Sequence, residues 1–330
     1  MASSLRFGII GCGGIARKFA TCIHHVEGAE LLAVASATPG KGEAFAKEFG
    51  VETGYSDYTQ LVSRDDIDAV YVATTHNFHY DNVTLALDHG KHVLCEKPIT
   101  VAAWEAEELI AMARGKKLFM MEGMWTRFLP AICQVREWLD AGQIGELRQI
   151  KADFGFNAPF DPDGRMFNKT LAGGALLDAG IYPVSLANMI AGPPAAIEGI
   201  ADIGSTGVDE QSFYLLRYES GVIASLSASV RAPIEIVAHI IGNEGRITIP
   251  RFLAATTVEL TRFSTRETIR REFPIADGQG FEYEIQEVVD CIAQGKLESD
   301  IMPLDETLSI MRTMDTIRGK LGLVYDNDKR

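Results

Sequence analysis

The chain has 330 residues, of which 47% are hydrophobic and 23% charged, and carries a formal net charge of −14. That balance belongs to a globular protein and excludes a disordered one, and the length fits two cores better than one. The negative charge excludes a nucleic-acid backbone or an anionic lipid surface as partner unless a run of Lys or Arg forms a basic patch, and the sequence contains no such run.

The first residues, Met-Ala-Ser-Ser, pass directly into an apolar run from Leu5, which leaves no room for a charged and apolar leader. No stretch of about 18 apolar residues follows. The expectation is a cytoplasmic protein without membrane contact. Cys12, Cys22, Cys95, Cys133 and Cys291 are odd in number, scattered and free of any C-x-x-C pair, so they read as reduced, buried thiols.

Through residue 125, strand-like runs alternate with amphipathic segments: "LRFGIIG", "AELLAVAS", "DAVYVATT", "HVLCEKP" and "KLFMMEG". Alternation of this kind predicts a parallel sheet with crossover helices, and the near-continuous Val, Ile and Ala predict burial on both faces. Beyond Trp125 come a helix over 129–141, a strand over 146–156, and a Gly-rich turn opening the helix-like "GGALLDAGIYPVSLANMIAG". Strands dominate 196–273, with the turn signals "YESGVIASL" and "GNEGRITI", and two helices close the chain. The fold class read from this order is α/β: a doubly wound parallel Rossmann sheet over 1–125, then an α+β domain over 126–330 with an open, mostly antiparallel sheet. The C-terminal helix is allowed to pack back on the first domain.

"GIIGCGGIARKF" places Gly11, Gly13 and Ala16 at G-x-G-x-x-A spacing, after a strand and at the head of a helix, with Gly14 and Ile15 between them. The first glycine permits the tight turn, the second lets the backbone approach a pyrophosphate, and the alanine allows close helix-strand packing. At the end of the second strand an NAD-specific fold carries an acid for the ribose 2′-hydroxyl. Here Ser36, Thr38 and Lys41 offer hydroxyls and a cation instead, which suits a 2′-phosphate, so the cofactor reads as NADP in preference to NAD.

In "HVLCEKPIT" an apolar strand ends in Glu96-Lys97-Pro98. The residue before a proline is steered to an extended conformation, and that bond is open to the cis form. Lys97 therefore stands at a carboxyl strand end, the edge where open α/β sheets bind ligands, together with Gly11 and Thr75. The strand before it ends in Thr74, Thr75, His76, Asn77 and His79, of which Asn77 and His79 read as bordering cofactor or substrate. Two histidines without a third ligand do not make a metal site, and no metal is expected.

"GCGGIA", "EKP" and "GGALLDAGIYPV", in this order over essentially the full length, resemble the glucose-fructose oxidoreductase (Gfo/Idh/MocA) family. "MEGMWTRFLPA" and "LLDAGIYPV" resemble its branch of dihydrodiol and D-xylose dehydrogenases. The resemblance implies hydride transfer between NADP or NAD and a sugar, polyol or trans-dihydrodiol, by a homodimer. It implies Lys97, Asp178 and Tyr182 as catalytic residues. It implies Trp125 and Phe154, with His79, Asp178 and Tyr182, in the substrate pocket, and Glu96 and Lys97 beside the cofactor with Thr74, Thr75, Asn77 and His79. Where relatives carry Arg after the second strand this chain has Ala37.

Oxidising an alcohol removes the hydroxyl proton while hydride leaves the same carbon, so a base must touch that oxygen. Asp178 and Tyr182 are four apart and share a face if the segment is helical. A lysine cation beside Tyr182 favours the phenolate, and Lys97 and Tyr182 both remain candidates for the proton acceptor. Two other readings share the fold: a nucleotide sensor without catalysis, and a glycoside hydrolase that oxidises transiently with NAD.

Overall fold

The computed structural model describes residues 4–275 and 279–328, so the reading of Met1, Ala2 and Ser3 lies outside the described residues. The chain divides into two compact units. The first holds Met1–Thr100, Trp104–Trp125 and Ile275–Thr307; the second holds Val101–Ala103, Thr126–Pro274 and Leu308–Arg330. A stretch from late in the chain, Ile275–Thr307, thus belongs with the N-terminal unit.

The first unit is built on six strands: β1 (Leu5–Ile10), β2 (Ala29–Ala35), β3 (Thr53–Tyr55), β4 (Ala69–Val72), β5 (His92–Glu96) and β6 (Met120–Gly123). Their order is β3-β2-β1-β4-β5-β6, all parallel, which is the Rossmann arrangement. The fold class is as the sequence implies. Five of the six strands coincide with the apolar runs; β3 was not foreseen, because Thr-Gly-Tyr at a sheet edge is too short to display a period. Every residue of β4 and β6 is buried, as expected for strands covered on both faces. Helix α1 (Gly14–Cys22) buries Ala16, Phe19, Ala20 and Cys22, and Phe19 stacks on Tyr71 of β4 with ring centroids 4.0 Å apart. A stack of that kind contributes about 0.5–1.5 kcal/mol beyond its buried area.

The second unit holds the remaining strands: β7 (Leu147–Gly155), β8 (Ala196–Ile203), β9 (Asp209–Arg217), β10 (Ile223–Ser229), β11 (Val237–Gly242), β12 (Gly245–Pro250), β13 (Thr257–Arg262) and β14 (Thr268–Glu272). They form one open sheet in the order β14-β13-β12-β11-β7-β10-β9-β8, antiparallel except for the β7–β10 pair. Along β9 burial alternates from Gln211 to Arg217, the pattern of a sheet with one covered face. The segment read as one helix from Gly173 divides into a π-helical turn over Leu176–Gly180 and α-helix Ile181–Ala191. The stretch Lys169–Ala191 is long and apolar enough to cross a membrane, and 78% of its apolar window is buried within the protein.

All five cysteines are free thiols; Cys12, Cys22, Cys95 and Cys291 are buried, whereas Cys133 is only half-buried. Cys133 lies near the start of helix Pro130–Asp140, outside its buried set of Ala131, Ile132 and Val135.

Candidate active site

In the first unit, Gly11 follows β1 with φ +103°, and a Cβ there would lie 2.7 Å from the Ala73 carbonyl oxygen and 3.0 Å from the Thr74 amide nitrogen. The chain after β1 is thereby pressed against the chain after β4, at the point where the strand order reverses. Gly13 caps α1 without any side-chain hydrogen bond, and a Cβ at Gly14 would meet no atom within 4 Å. Free N–H groups at a helix N-terminus with an unobstructed approach fit a pyrophosphate. Ala16 is fully buried and Ile15 half-buried.

At the end of β2, the Ser36 hydroxyl is buried and accepts the Thr38 N–H at 3.2 Å, while Thr38 and Lys41 are exposed. Burial pushes the Cys12 thiol up to about 11, and Lys41 and Arg17 pull it the other way, so both cations act on the glycine turn. No carboxylate takes the ribose position in Ser36-Ala37-Thr38, and this donor set fits a phosphorylated ribose.

After β4, Thr75 donates its hydroxyl to Asn77 Oδ1 at 2.8 Å, and Asn82 donates to Thr74 Oγ1 at 3.1 Å. His79 is fully buried, with Nδ1 2.9 Å from the Pro98 carbonyl oxygen and Nε2 3.1 Å from that of Thr74. Burial, aided by the Lys97 charge, lowers this imidazole to about 4. The ring is therefore neutral near pH 7 and donates to one of these two carbonyls, with both nitrogens facing backbone.

Lys97 is half-buried at the carboxyl end of β5, and its bond to Pro98 is cis. Behind it Glu96 turns into the core, accepting the Tyr71 hydroxyl and, at 3.2 Å, the Lys97 N–H. Burial raises the Glu96 carboxyl, while the Tyr71 hydrogen bond and the Lys97 charge oppose the rise. Trp125, after β6, stacks on Phe281 with centroids 4.8 Å apart and planes within 12°. Lys18 Nζ lies 5.5 Å from the Phe281 centroid. Sequence reading missed Phe281, because it lies more than a hundred residues from the run that contains Trp125.

In the second unit, Asp178 sits inside the π-helical turn and Tyr182 is the second residue of the α-helix that follows. Pro183 follows at the third residue of that α-helix, one turn after the π-helical residues. The Phe154 ring, near the end of β7, meets the Tyr182 ring edge to face at 5.7 Å, and Phe156 lies 5.7 Å from Phe154. The structure thus brings the Phe154 and Tyr182 rings into contact. Asp178 accepts a hydrogen bond from Arg165 Nη1 at 2.6 Å, with Asp178 mostly covered and Arg165 partly exposed. Arg165 was not predicted either. It lies in an irregular loop, where no periodicity marks which side chain turns inward.

A family model described as "Oxidoreductase family, NAD-binding Rossmann fold" matches residues 5–124, and the GFO/IDH/MocA C-terminal domain matches 132–248. Curated relatives include the trans-1,2-dihydrobenzene-1,2-diol dehydrogenases of Mus musculus, 35% identical over 99% of this chain and 100% of the relative, and of Homo sapiens, 32% identical over 99% and 100%. Among solved structures, a 3-ketoreductase from Actinomadura kijaniata in complex with NADP and TDP-benzene is 29% identical, with a TM-score of 0.86 over 97% of this chain and 98% of that one. A levoglucosan dehydrogenase in complex with NADH and L-sorbose shares the fold, with a TM-score of 0.88 at 20% identity over 97% of each chain. With both of its domain models matched in chain order and relatives alike from end to end, the chain belongs to the Gfo/Idh/MocA oxidoreductase family.

Proposed function

We propose that this chain is an NADP-preferring oxidoreductase acting on a secondary alcohol or hemiacetal carbon of a sugar, polyol or trans-dihydrodiol. The observation that carries the reading is an uncapped G-x-G-x-x-A turn, open at Gly14, in the same sheet as a half-buried lysine at a carboxyl strand end. The nicotinamide, when bound, supplies the hydride acceptor or donor. Gly11, Gly13, Gly14 and Ile15 would hold the pyrophosphate with Ala16 packing behind them, Thr38 and Lys41 would hold the 2′-phosphate, and Thr74, Thr75 and Asn77 would border the nucleotide.

For oxidation, Tyr182 is the residue proposed to take the hydroxyl proton, and Lys97 the residue proposed to supply positive charge for the developing alkoxide. Asp178, held by Arg165, orients the substrate hydroxyl. Trp125 in the first unit and Phe154 in the second are each flat apolar rings of a kind that suits a sugar ring or an aromatic diol. The names of relatives support this substrate range: dihydrodiols in one group and a keto sugar nucleotide reductase in another. A lysine and a tyrosine are also the residues replaced in solved variants of that reductase.

The same reading includes a cytoplasmic homodimer. Five free thiols suit a reducing compartment. The open face of β8–β10 exposes Ile200 (71%), Phe213 (54%), Leu215 (56%) and Ile223 (48%), with Phe213 paired across the strands to Ile200. A row of this size favours burial against a second copy. Phe213→Asp should convert the dimer to monomer in light scattering; a wild-type monomer at micromolar concentration would refute it.

A panel of aldoses, inositols, trans-dihydrodiols and dicarbonyls, followed by absorbance of the reduced cofactor with NADP and NAD, tests the activity. Turnover on at least one class, faster with NADP, is expected. In Lys97→Met turnover should fall about 100-fold or more with cofactor still bound. Cofactor binding without turnover on any class points to a sensor, and a cofactor that never exchanges points to a hydrolase.

A further inference from the structure

The segment carrying Asp178 and Tyr182 begins as a π-helical turn, a geometry that is rare and occurs mostly as single turns. Something outside the turn must hold it. Strand β9 lies behind it and buries a polar row, Asp209, Ser212 and Tyr214, each no more than 1% exposed. Asp209 Oδ2 accepts the Leu176 N–H at 2.8 Å, at the first residue of the turn, and the Ser212 hydroxyl at 2.8 Å. Since Ser212 has spent its only proton on Asp209, the 2.5 Å contact between its oxygen and Tyr214 is donated by the Tyr214 hydroxyl.

That same Tyr214 oxygen reaches the other end of the turn: a Cβ at Gly180, the last residue of the turn, would lie 2.8 Å from it. At the near end a Cβ at Gly174, with φ +122°, would lie 2.4 Å from Asp209 Oδ1. Tyr325 adds a bond from its hydroxyl to the Gly173 carbonyl at 2.6 Å. The row therefore touches the turn at its start and its finish, with glycines wherever a side chain would push it away.

We propose that Asp209, Ser212 and Tyr214 form a positioning clamp that fixes the π-helical turn and so aims Asp178 and Tyr182. The proposal rests on the function reading above, in which those two residues act on the substrate. The clamp works through hydrogen-bond acceptors and donors, so Asp209→Asn, which keeps an acceptor for Leu176 and Ser212, preserves it, and Asp209→Ala does not.

The test uses the full-length enzyme with two readouts: kinetics on the best substrate of the panel, and hydrogen exchange of the peptide spanning 174–184. In Asp209→Ala, kcat should fall about 10-fold or more while the cofactor KM stays within about 2-fold, because orientation is lost and nucleotide contacts are not. Exchange of the peptide should quicken by about 10-fold or more relative to distant peptides. Asp209→Asn should restore both. Wild-type kcat and exchange in Asp209→Ala, or failure of Asn to restore either readout, overturn the clamp. If Asp209→Ala does not fold, Ser212→Ala decides: about 3-fold or greater losses in both readouts support the clamp and unchanged values overturn it. A wild-type enzyme that turns over nothing defeats the function reading, while local exchange, quickened by Asp209→Ala and restored by Asn, still decides whether the clamp exists.

Discussion

Glu284 in the first unit and Asp209 in the second are both fully buried carboxyls, yet their surroundings differ in kind. Asp209 is met by the Leu176 N–H and the Ser212 hydroxyl, and its pKa rises only to about 7 because those donors oppose the cost of burial. Glu284, in the first turn of helix Glu282–Ala293, has no hydrogen-bond partner for either oxygen among the described residues. Burial raises it far above the carboxylate range, and the negative Glu96 pushes it further. A helix N-terminus favours an anion by about 0.3–1 kcal/mol, too little against a desolvation cost of several. Donors, and not depth, decide whether a buried acid keeps a charge. The second unit uses its acid as an acceptor beneath the π-helical turn, whereas the first buries Glu284 without a donor beside Glu96, whose own neighbour is Lys97.

The largest effect comes from breaking the better-satisfied site. Gly174→Ala forces a side chain onto Asp209 Oδ1 at a left-handed φ of +122°, so both the backbone and the acceptor are strained. A loss of about 2–4 kcal/mol is expected, read as a lower urea midpoint for the second unit. Next in size is Tyr71→Phe, which removes the hydroxyl that Glu96 accepts in the first unit. That change leaves a buried acceptor short of a donor at about 1–3 kcal/mol, and a midpoint equal to wild type would mean that Glu96 is satisfied without Tyr71.

How much of this could be read beforehand follows the same division. The first unit was legible because buried parallel strands announce themselves as apolar runs, and the glycine turn has a spacing dictated by phosphate geometry. Lys97 was legible as a cost, a charge at the end of a core strand. In the second unit Tyr182 and Phe154 came from family likeness, and the residues around them did not come at all. Arg165 lies in an aperiodic loop, and Asp209 looks like a strand-start acid in "GVDEQS". The π-helical turn was read as α because its apolar residues satisfy either period over so short a run. Contacts across long sequence separations, Phe281 on Trp125 above all, leave no trace in a window of local residues.

Two further changes sharpen the comparison most, because they remove charge without removing shape. An acid whose folded value is raised binds more protons folded than unfolded between its ordinary and its raised value, so stability falls as pH rises through that window. For Asp209 the window runs from 3.8 to about 7. For Glu284 it opens at 4.5 and continues above the carboxylate range. Each group contributes a slope of at most about 1.4 kcal/mol per pH unit inside its window. Asp209→Asn should therefore flatten stability against pH below neutrality and leave the slope above it unchanged. Glu284→Gln should flatten stability above pH 4.5, the ordinary value from which burial and Glu96 raise the acid. Urea midpoints at several pH values, taken for both variants, separate the two: identical profiles would mean that burial alone sets both acids, and that the Leu176 and Ser212 donors do nothing to tell them apart.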